Sequence, residues 1–155
     1  MLGAKSGGEV EYVMLQTGGR LWIGVGSDHT DREVEAYGVT VSKQMCDKPV
    51  GLVFWPHDEV APHWDRLVLR SHVTEQGKAV LYQEGPVAAM RTPADLIARY
   101  TGGGALAEGT LMFGGTLAAK GGVRATTEIA LEIEDPVLGR RLRHSYRSVS
   151  LPIAG

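Results

Sequence analysis

The chain of 155 residues contains a single cysteine, Cys46, and aromatic residues make up only 6% of it. One thiol excludes an internal disulfide framework and a zinc site built from cysteines alone. No apolar run approaches the roughly 18 residues of a membrane-spanning helix, so no membrane partner is expected. Basic blocks are also lacking, and the net charge is −2, which argues against a nucleic-acid partner. We therefore expect a cytoplasmic protein.

Glycine and proline are abundant, with 21 and 7 residues, and hydrophobic residues make up 43% of the chain. This composition is typical of a globular protein in which short strands are joined by tight turns. The length suits a single domain over residues 1–155. The expected fold is mainly β, a rolled sheet or β-sandwich with two short helices.

The local patterns support that fold class. Alternating residues predict a strand over 9–15, and the pair Gly18–Gly19 predicts a hairpin with a return strand over 20–26. Thr30 is expected to cap a short helix that ends near Tyr37, and a longer helix is expected over 92–100. Further strands are predicted over 39–42, 50–55, 66–73, 79–83, 110–113, 127–133 and 141–150.

Glu9 and Glu11 are the first candidates for chemistry. Two residues apart on a strand, they project from the same face, where two carboxylates repel unless a cation lies between them. Mg²⁺ or Mn²⁺ would suit such oxygen ligands. The simpler interpretation, which the residues alone favour, is the solvent-exposed face of an edge strand.

Ser27, Asp28, His29 and Asp31 form a second polar group at the end of a predicted strand. Three consecutive residues cannot fold onto one another as a nucleophile triad, but Asp28 or His29 can face a site. Helix capping by Asp28 and Thr30, with an exposed His29, explains the same residues equally well. The other histidines have no metal-ligand spacing: His57, His63, His72 and His144.

The order of several segments resembles the fumarylacetoacetate hydrolase superfamily. Residues 8–15 are similar to its metal-binding Glu-x-Glu strand, 106–116 to its late Gly-Thr signature, and 127–140 to its final strands. Shorter segments resemble a bacterial branch of the superfamily without a settled activity, and the resemblance covers nearly the whole chain. These segments are 26–32, 42–44, 63–65, 81–83 and 135–138.

This resemblance implies a metal-dependent enzyme that acts on a small oxo-acid or diketone, by C–C bond hydrolysis, decarboxylation or hydration. The implied cofactor is Mg²⁺, with Mn²⁺ or Ca²⁺ as alternatives. Glu9 and Glu11 would be metal ligands, and Gly115 with Thr116 would bind a carboxylate-bearing substrate. Superfamily members usually pair, so a homodimer is expected.

The third metal ligand of the superfamily aligns best with Gln44, whose amide oxygen carries no charge. Asp28, Asp31 or Asp47 are the alternatives, and the residues do not choose among them. The position of Thr110 also departs from the usual Asp of the signature.

Superfamily members normally carry a segment with a catalytic His ahead of the Glu-x-Glu strand, whereas only eight residues precede Glu9 here. His29 is the candidate for the missing base, and Lys43 is the candidate for polarising a substrate oxygen. On a strand, Lys43 and Gln44 would face opposite ways. The alternative function is a catalytically silent β-domain of the same fold that binds a small acid or serves in assembly.

Overall fold

The computed structural model describes residues 4–152 and residue 154. Most of the regular secondary structure is antiparallel strand, and tight turns join several of these strands. The strands are β1 Ser6–Gly7, β2 Val10–Thr17, β3 Arg20–Ser27, β4 Thr30–Asp31, β5 Trp55–Pro56, β6 Val68–Glu75, β7 Lys78–Pro86, β8 Leu111–Thr116, β9 Glu128–Asp135 and β10 Arg140–Arg147. The helices are α1 Arg32–Glu35, α2 Val39–Gln44, α3 His57–Val60 and α4 Pro93–Thr101, with 3₁₀ turns at Ala61–Arg66 and Val87–Ala89.

Two four-stranded sheets enclose an apolar core. One has the strand order β5-β3-β2-β8 and the other β10-β9-β6-β7, while β1 and β4 form a short ribbon. Tyr12 and Ile23 from the first sheet pack with Leu69 and Leu131 from the second, and all four are almost fully buried. The mainly β, fumarylacetoacetate-hydrolase-like fold class expected from the sequence is confirmed.

The predicted hairpin and the longer helix are also present. Gly18 and Gly19 form the turn between β2 and β3, both with positive φ, which glycine adopts without strain. Helix α4 begins after Thr92, whose hydroxyl accepts a hydrogen bond from the Asp95 amide at 3.3 Å. It ends at Gly102 in the left-handed conformation.

The segment between α1 and β5 differs from the prediction. Residues 39–42 belong to α2 and not to a strand, and they pack on α1 and β4. The β-branched valines favoured a strand, but no neighbouring strand pairs with them, and tertiary packing decides such short runs.

Two further predictions in this region are wrong in detail. Of the strand predicted over 50–55, only Trp55 lies in a regular strand. Val50 makes an isolated bridge to Gly26, and the side chain of Leu52 is 93% exposed. The cap of α1 is Asp31 and not Thr30. The Asp31 carboxylate accepts from the amides of Glu33 and Val34, while the Thr30 hydroxyl donates to a backbone carbonyl.

Candidate metal centre

The β2–β3 hairpin brings Glu9 and Asp28 together. Thr17 faces Arg20 beside the turn and Val10 faces Ser27 at the far end, so the next pair outward is Glu9 and Asp28. The Asp28 amide donates to the Glu9 carbonyl at 3.0 Å. Both carboxylates are therefore held at one end of the hairpin, and each side chain is only 12–13% exposed.

Glu11 lies beside them and is buried, with 5% of its surface exposed. Its Oε2 accepts a hydrogen bond from the Gly115 amide at 2.6 Å. The pKa of Glu11 is raised to about 7, mainly by burial and also by the nearby charges of Asp28 and Glu9, which together outweigh the lowering effects of the Gly115 amide and Lys43. The expectation of an exposed edge-strand face therefore does not describe Glu11.

Three cationic side chains contact these carboxylates. The Lys43 ammonium bonds Asp28 and lies 3.5 Å from Glu9 Oε2. Lys48 Nζ lies 2.8 Å from Asp28 Oδ1, and Arg32 Nη1 lies 3.3 Å from Glu9 Oε1. Burial alone would raise the pKa of Asp28, but Lys43 and Lys48 outweigh it, and the pKa is lowered.

The predicted substrate-binding pair lies at the same place. Gly115 has φ +106, a conformation that favours glycine, and this backbone geometry presents its amide to Glu11. The Thr116 hydroxyl donates to the Val10 carbonyl at 2.8 Å. The structure thus brings Gly115 and Thr116 together with both glutamates.

Asp28 is the candidate third ligand that lies with Glu9 and Glu11. Gln44 is exposed at the end of α2, because consecutive helical residues diverge by about 100° and Lys43 takes the inward direction. The carboxylate of Asp31 caps α1, and Asp47 is exposed. The preference for Gln44 followed from the resemblance, in which this position aligns with the third metal ligand of the superfamily.

His29 faces away from the carboxylates. Asp28 and His29 alternate in direction, so His29 enters the interior on the other side, where it is 1% exposed and its Nδ1 lies 2.8 Å from the Tyr146 hydroxyl. The pKa of His29 is lowered to about 4, mainly by burial and also by the charges of Arg32 and Lys48. Its position does not favour the predicted role as a base at this site.

Sequence reasoning assigned no role to Arg32, Lys48 and Gln83. Register alone pointed to one part of the site, because counting outward from the Gly18–Gly19 turn places Asp28 opposite Glu9. Lys48 and Gln83 come from distant segments, and no local pattern marks them.

The donor set fits a hard divalent ion, since Glu9, Glu11 and Asp28 offer only carboxylate oxygens in a largely buried position. Within residues 4–152 and 154, no three His, Cys, Asp or Glu side chains are arranged to hold a metal as they stand. In the present arrangement Lys43 contacts both Glu9 and Asp28, and the Gly115 amide donates to Glu11. Among these described residues, no helix is long and apolar enough to cross a membrane.

Residues 1–146 match the model of a family described as "Protein of unknown function (DUF2848)". The chain belongs to that family. The comparison with curated proteins finds no match.

Solved structures with the same fold include enzymes. A 2-keto-3-deoxy-D-arabinonate dehydratase complexed with magnesium and 2,5-dioxopentanoate superposes with a TM-score of 0.70 at 17% identity, covering 95% of this chain and 54% of the other. Cg1458 with inhibitor gives a TM-score of 0.69 at 20% identity, covering 90% of this chain and 56% of the other. The chain spans a little over half the length of these structures, and at such identity the likeness concerns the fold.

Proposed function

We propose that this protein is a divalent-metal-dependent enzyme of the fumarylacetoacetate hydrolase superfamily that acts on a small oxo-acid. Glu9, Glu11 and Asp28 are the proposed ligands of Mg²⁺, Mn²⁺ or Ca²⁺. The observation that carries the proposal is that the buried Glu11 shares its surroundings with the largely buried carboxylates of Glu9 and Asp28 and has its pKa raised to about 7. A cation beside Glu11 would favour the ionised form of this buried carboxyl group.

The chain's own residues suggest the division of labour. A bound divalent ion would supply Lewis acidity toward neighbouring substrate oxygens. Lys43 already contacts two of the three carboxylates, so its ammonium is placed to polarise a substrate oxygen or hold an anionic group. Thr116 and Gly115 border Glu11 and are the proposed contacts of the substrate carboxylate.

The reaction class follows by analogy with the fold. The magnesium complex of 2-keto-3-deoxy-D-arabinonate dehydratase supports a lyase, and C–C hydrolysis or decarboxylation would use the same charge stabilisation. The homodimer stays a prediction, which light scattering on the purified protein tests directly.

Isothermal titration of Mg²⁺ and Mn²⁺ into the wild type and Asp28→Asn tests the ligand set. We expect binding by the wild type and at least about 100-fold weaker binding by Asp28→Asn, because a ligand matters more than the surrounding groups that cost 10- to 100-fold. Asp47→Asn is the matched control, since it makes the same change at an exposed aspartate. Absence of binding by the wild type, or equal effects of the two variants, would contradict the proposal.

Turnover separates the enzyme from the catalytically silent alternative. The metal-loaded protein is assayed with acylpyruvates and oxaloacetate against a metal-only background. Turnover that Glu11→Gln abolishes supports the enzyme. Binding of these acids without turnover would instead support a small-acid-binding domain.

A further inference from the structure

Gln83 lies in β7, a strand of the sheet that does not contain the two glutamates, and it is fully buried. Its carboxamide nevertheless reaches the other sheet at β2 and the end of β8. A buried carboxamide is costly unless all its hydrogen bonds are made, so its partners indicate what it holds in place.

All the hydrogen-bonding capacity of this carboxamide is used. Oε1 accepts from the Val10 amide and from the Ser71 hydroxyl, each at 2.9 Å. Nε2 donates to the Thr116 hydroxyl at 2.9 Å and to the Leu117 carbonyl at 2.6 Å. Because the Val10 amide can only donate and the Leu117 carbonyl can only accept, the orientation of the carboxamide is fixed.

Gln83 compensates for an interruption in the β2–β8 ladder. The pairing between these strands shifts register between Glu11 and Val13, and Thr116 ends β8 opposite Glu11. In an antiparallel pair, every second residue directs its N–H and C=O groups away from the partner strand. Val10 is such a residue relative to β3. The Val10 amide therefore needs an acceptor from outside the ladder, and Gln83 supplies it.

Val10 lies between the two glutamates, and both of its peptide groups are held by this arrangement. Gln83 accepts from the Val10 amide, while the Thr116 hydroxyl, itself bonded to Gln83, donates to the Val10 carbonyl. The closed set of three hydrogen bonds fixes the backbone from which Glu9 and Glu11 project. It also fixes the position of Thr116.

We propose that Gln83 is a positioning residue of the metal centre, which sets the directions of Glu9 and Glu11 through Val10 and the location of Thr116. The inference rests on the proposed function. It assigns a role to a side chain that belongs to the opposite sheet and contacts none of the three carboxylates.

Gln83→Met tests this, because methionine has a similar length without hydrogen bonds. In the folded variant we expect Mn²⁺ to bind about 10- to 100-fold more weakly by titration calorimetry, as for other groups that orient metal ligands. Leu131→Ala is the control, since it removes buried volume in the same sheet as Gln83 but none of the four hydrogen bonds of the carboxamide. Its Mn²⁺ affinity should stay within about twofold of wild type despite a lower unfolding temperature.

A second readout needs no metal. Hydrogen exchange of the Val10 and Gly115 amides, measured by NMR, should accelerate relative to other core amides in Gln83→Met and not in Leu131→Ala. Unchanged metal affinity with unchanged exchange would overturn the proposal, and so would equal losses in both variants. If the wild type binds no Mn²⁺, the proposed function is contradicted. The exchange rates of the Val10 and Gly115 amides then test the positioning role independently of metal binding.

Ser71→Ala covers the case in which Gln83→Met does not fold. It removes one donor to Gln83 Oε1 and leaves the other three hydrogen bonds. We expect a smaller acceleration of Val10 exchange, and no acceleration would overturn the proposal.

Discussion

Two buried carboxylates, Asp135 and Glu11, have pKa values that are shifted in opposite directions. Asp135 is fully buried at the end of β9, and Glu11 is 5% exposed within β2. Burial alone would raise both pKa values. The pKa of Asp135 is nevertheless lowered, whereas that of Glu11 is raised to about 7.

The difference lies in what surrounds each group. Asp135 accepts from the amides of Val137 and Leu138 at 3.1 Å each, and it lies 2.9 Å from His63 Nε2 and 3.2 Å from Arg140 Nε. Glu11 accepts from one amide and shares its surroundings with two other carboxylates. Asp135 is therefore fully supplied with donors, and Glu11 is not.

This contrast separates a structural carboxylate from a proposed metal ligand. Asp135 closes the β9–β10 turn and links it to the 3₁₀ turn that carries His63, so its donors come from the fold itself. The Gly115 amide and Lys43 compensate the charge at Glu11 only in part, which favours binding of an external cation. Burial alone would not distinguish the two.

The largest expected effect comes from removing Asp135. Asp135→Ala leaves His63 without its acidic partner and frees the two turn amides, while Arg140 keeps only Glu59, so we expect a loss of about 4 kcal/mol in the free energy of unfolding. Thermal unfolding should then begin about 10 °C lower, with metal affinity unchanged in the folded protein. Asp58→Ala is the control, because its ion pair with Arg20 is exposed and should matter little. Equal midpoints for the two variants would contradict the role assigned to Asp135.

Glu11→Gln should raise the free energy of unfolding above pH 7, whereas Asp135→Ala lowers it. With chelator present, Glu11 stays protonated in the folded protein up to about pH 7 and ionises near pH 4.5 in the unfolded chain. Stability should therefore fall as the pH rises between these values, by roughly 3 kcal/mol in total. Glu11→Gln removes this fall and is more stable than wild type at pH 8, and denaturant titrations from pH 4 to 8 measure it.

Asp135 provides the internal check on that pH dependence. The pKa of Asp135 is lowered in the folded protein. Its contribution to stability is therefore present at pH values above its pKa of about 4 in the unfolded chain, and it is lost as the pH falls through the pKa of the folded protein. Both the wild type and Glu11→Gln should lose stability there in parallel. A flat wild-type profile between pH 4.5 and 7 would show that Glu11 is compensated after all.

Part of this arrangement could be predicted from the sequence. The Gly18–Gly19 turn fixes the register of β2 and β3, and that register alone places Asp28 opposite Glu9. The cap at Thr92 and the glycine at 102 likewise fixed the limits of α4. These features depend on residues that are neighbours along the chain.

The rest depends on contacts between distant segments. Lys43 reaches the carboxylates only because residues 39–44 form a helix, and its valines pointed locally to a strand. The raised pKa of Glu11 depends on how deeply β8 covers it, and the role of Gln83 depends on a register shift between β2 and β8. Neither can be obtained from spacing or composition.

The smallest expected effect concerns the cation that already contacts the centre. Lys43 bonds Asp28 and lies near Glu9, so an arriving divalent ion must displace or approach a positive charge. Lys43→Met should therefore bind Mg²⁺ about tenfold more tightly, a difference of about 1.4 kcal/mol, while Lys48 remains on Asp28. Lys120→Met, which removes an exposed lysine beside Glu84, controls for net charge and should leave the affinity unchanged. Weaker binding by Lys43→Met would mean that this ammonium orients the carboxylates for the metal. Glu9 and Asp28 would then resemble Asp135, whose cationic partners hold it in place within the fold.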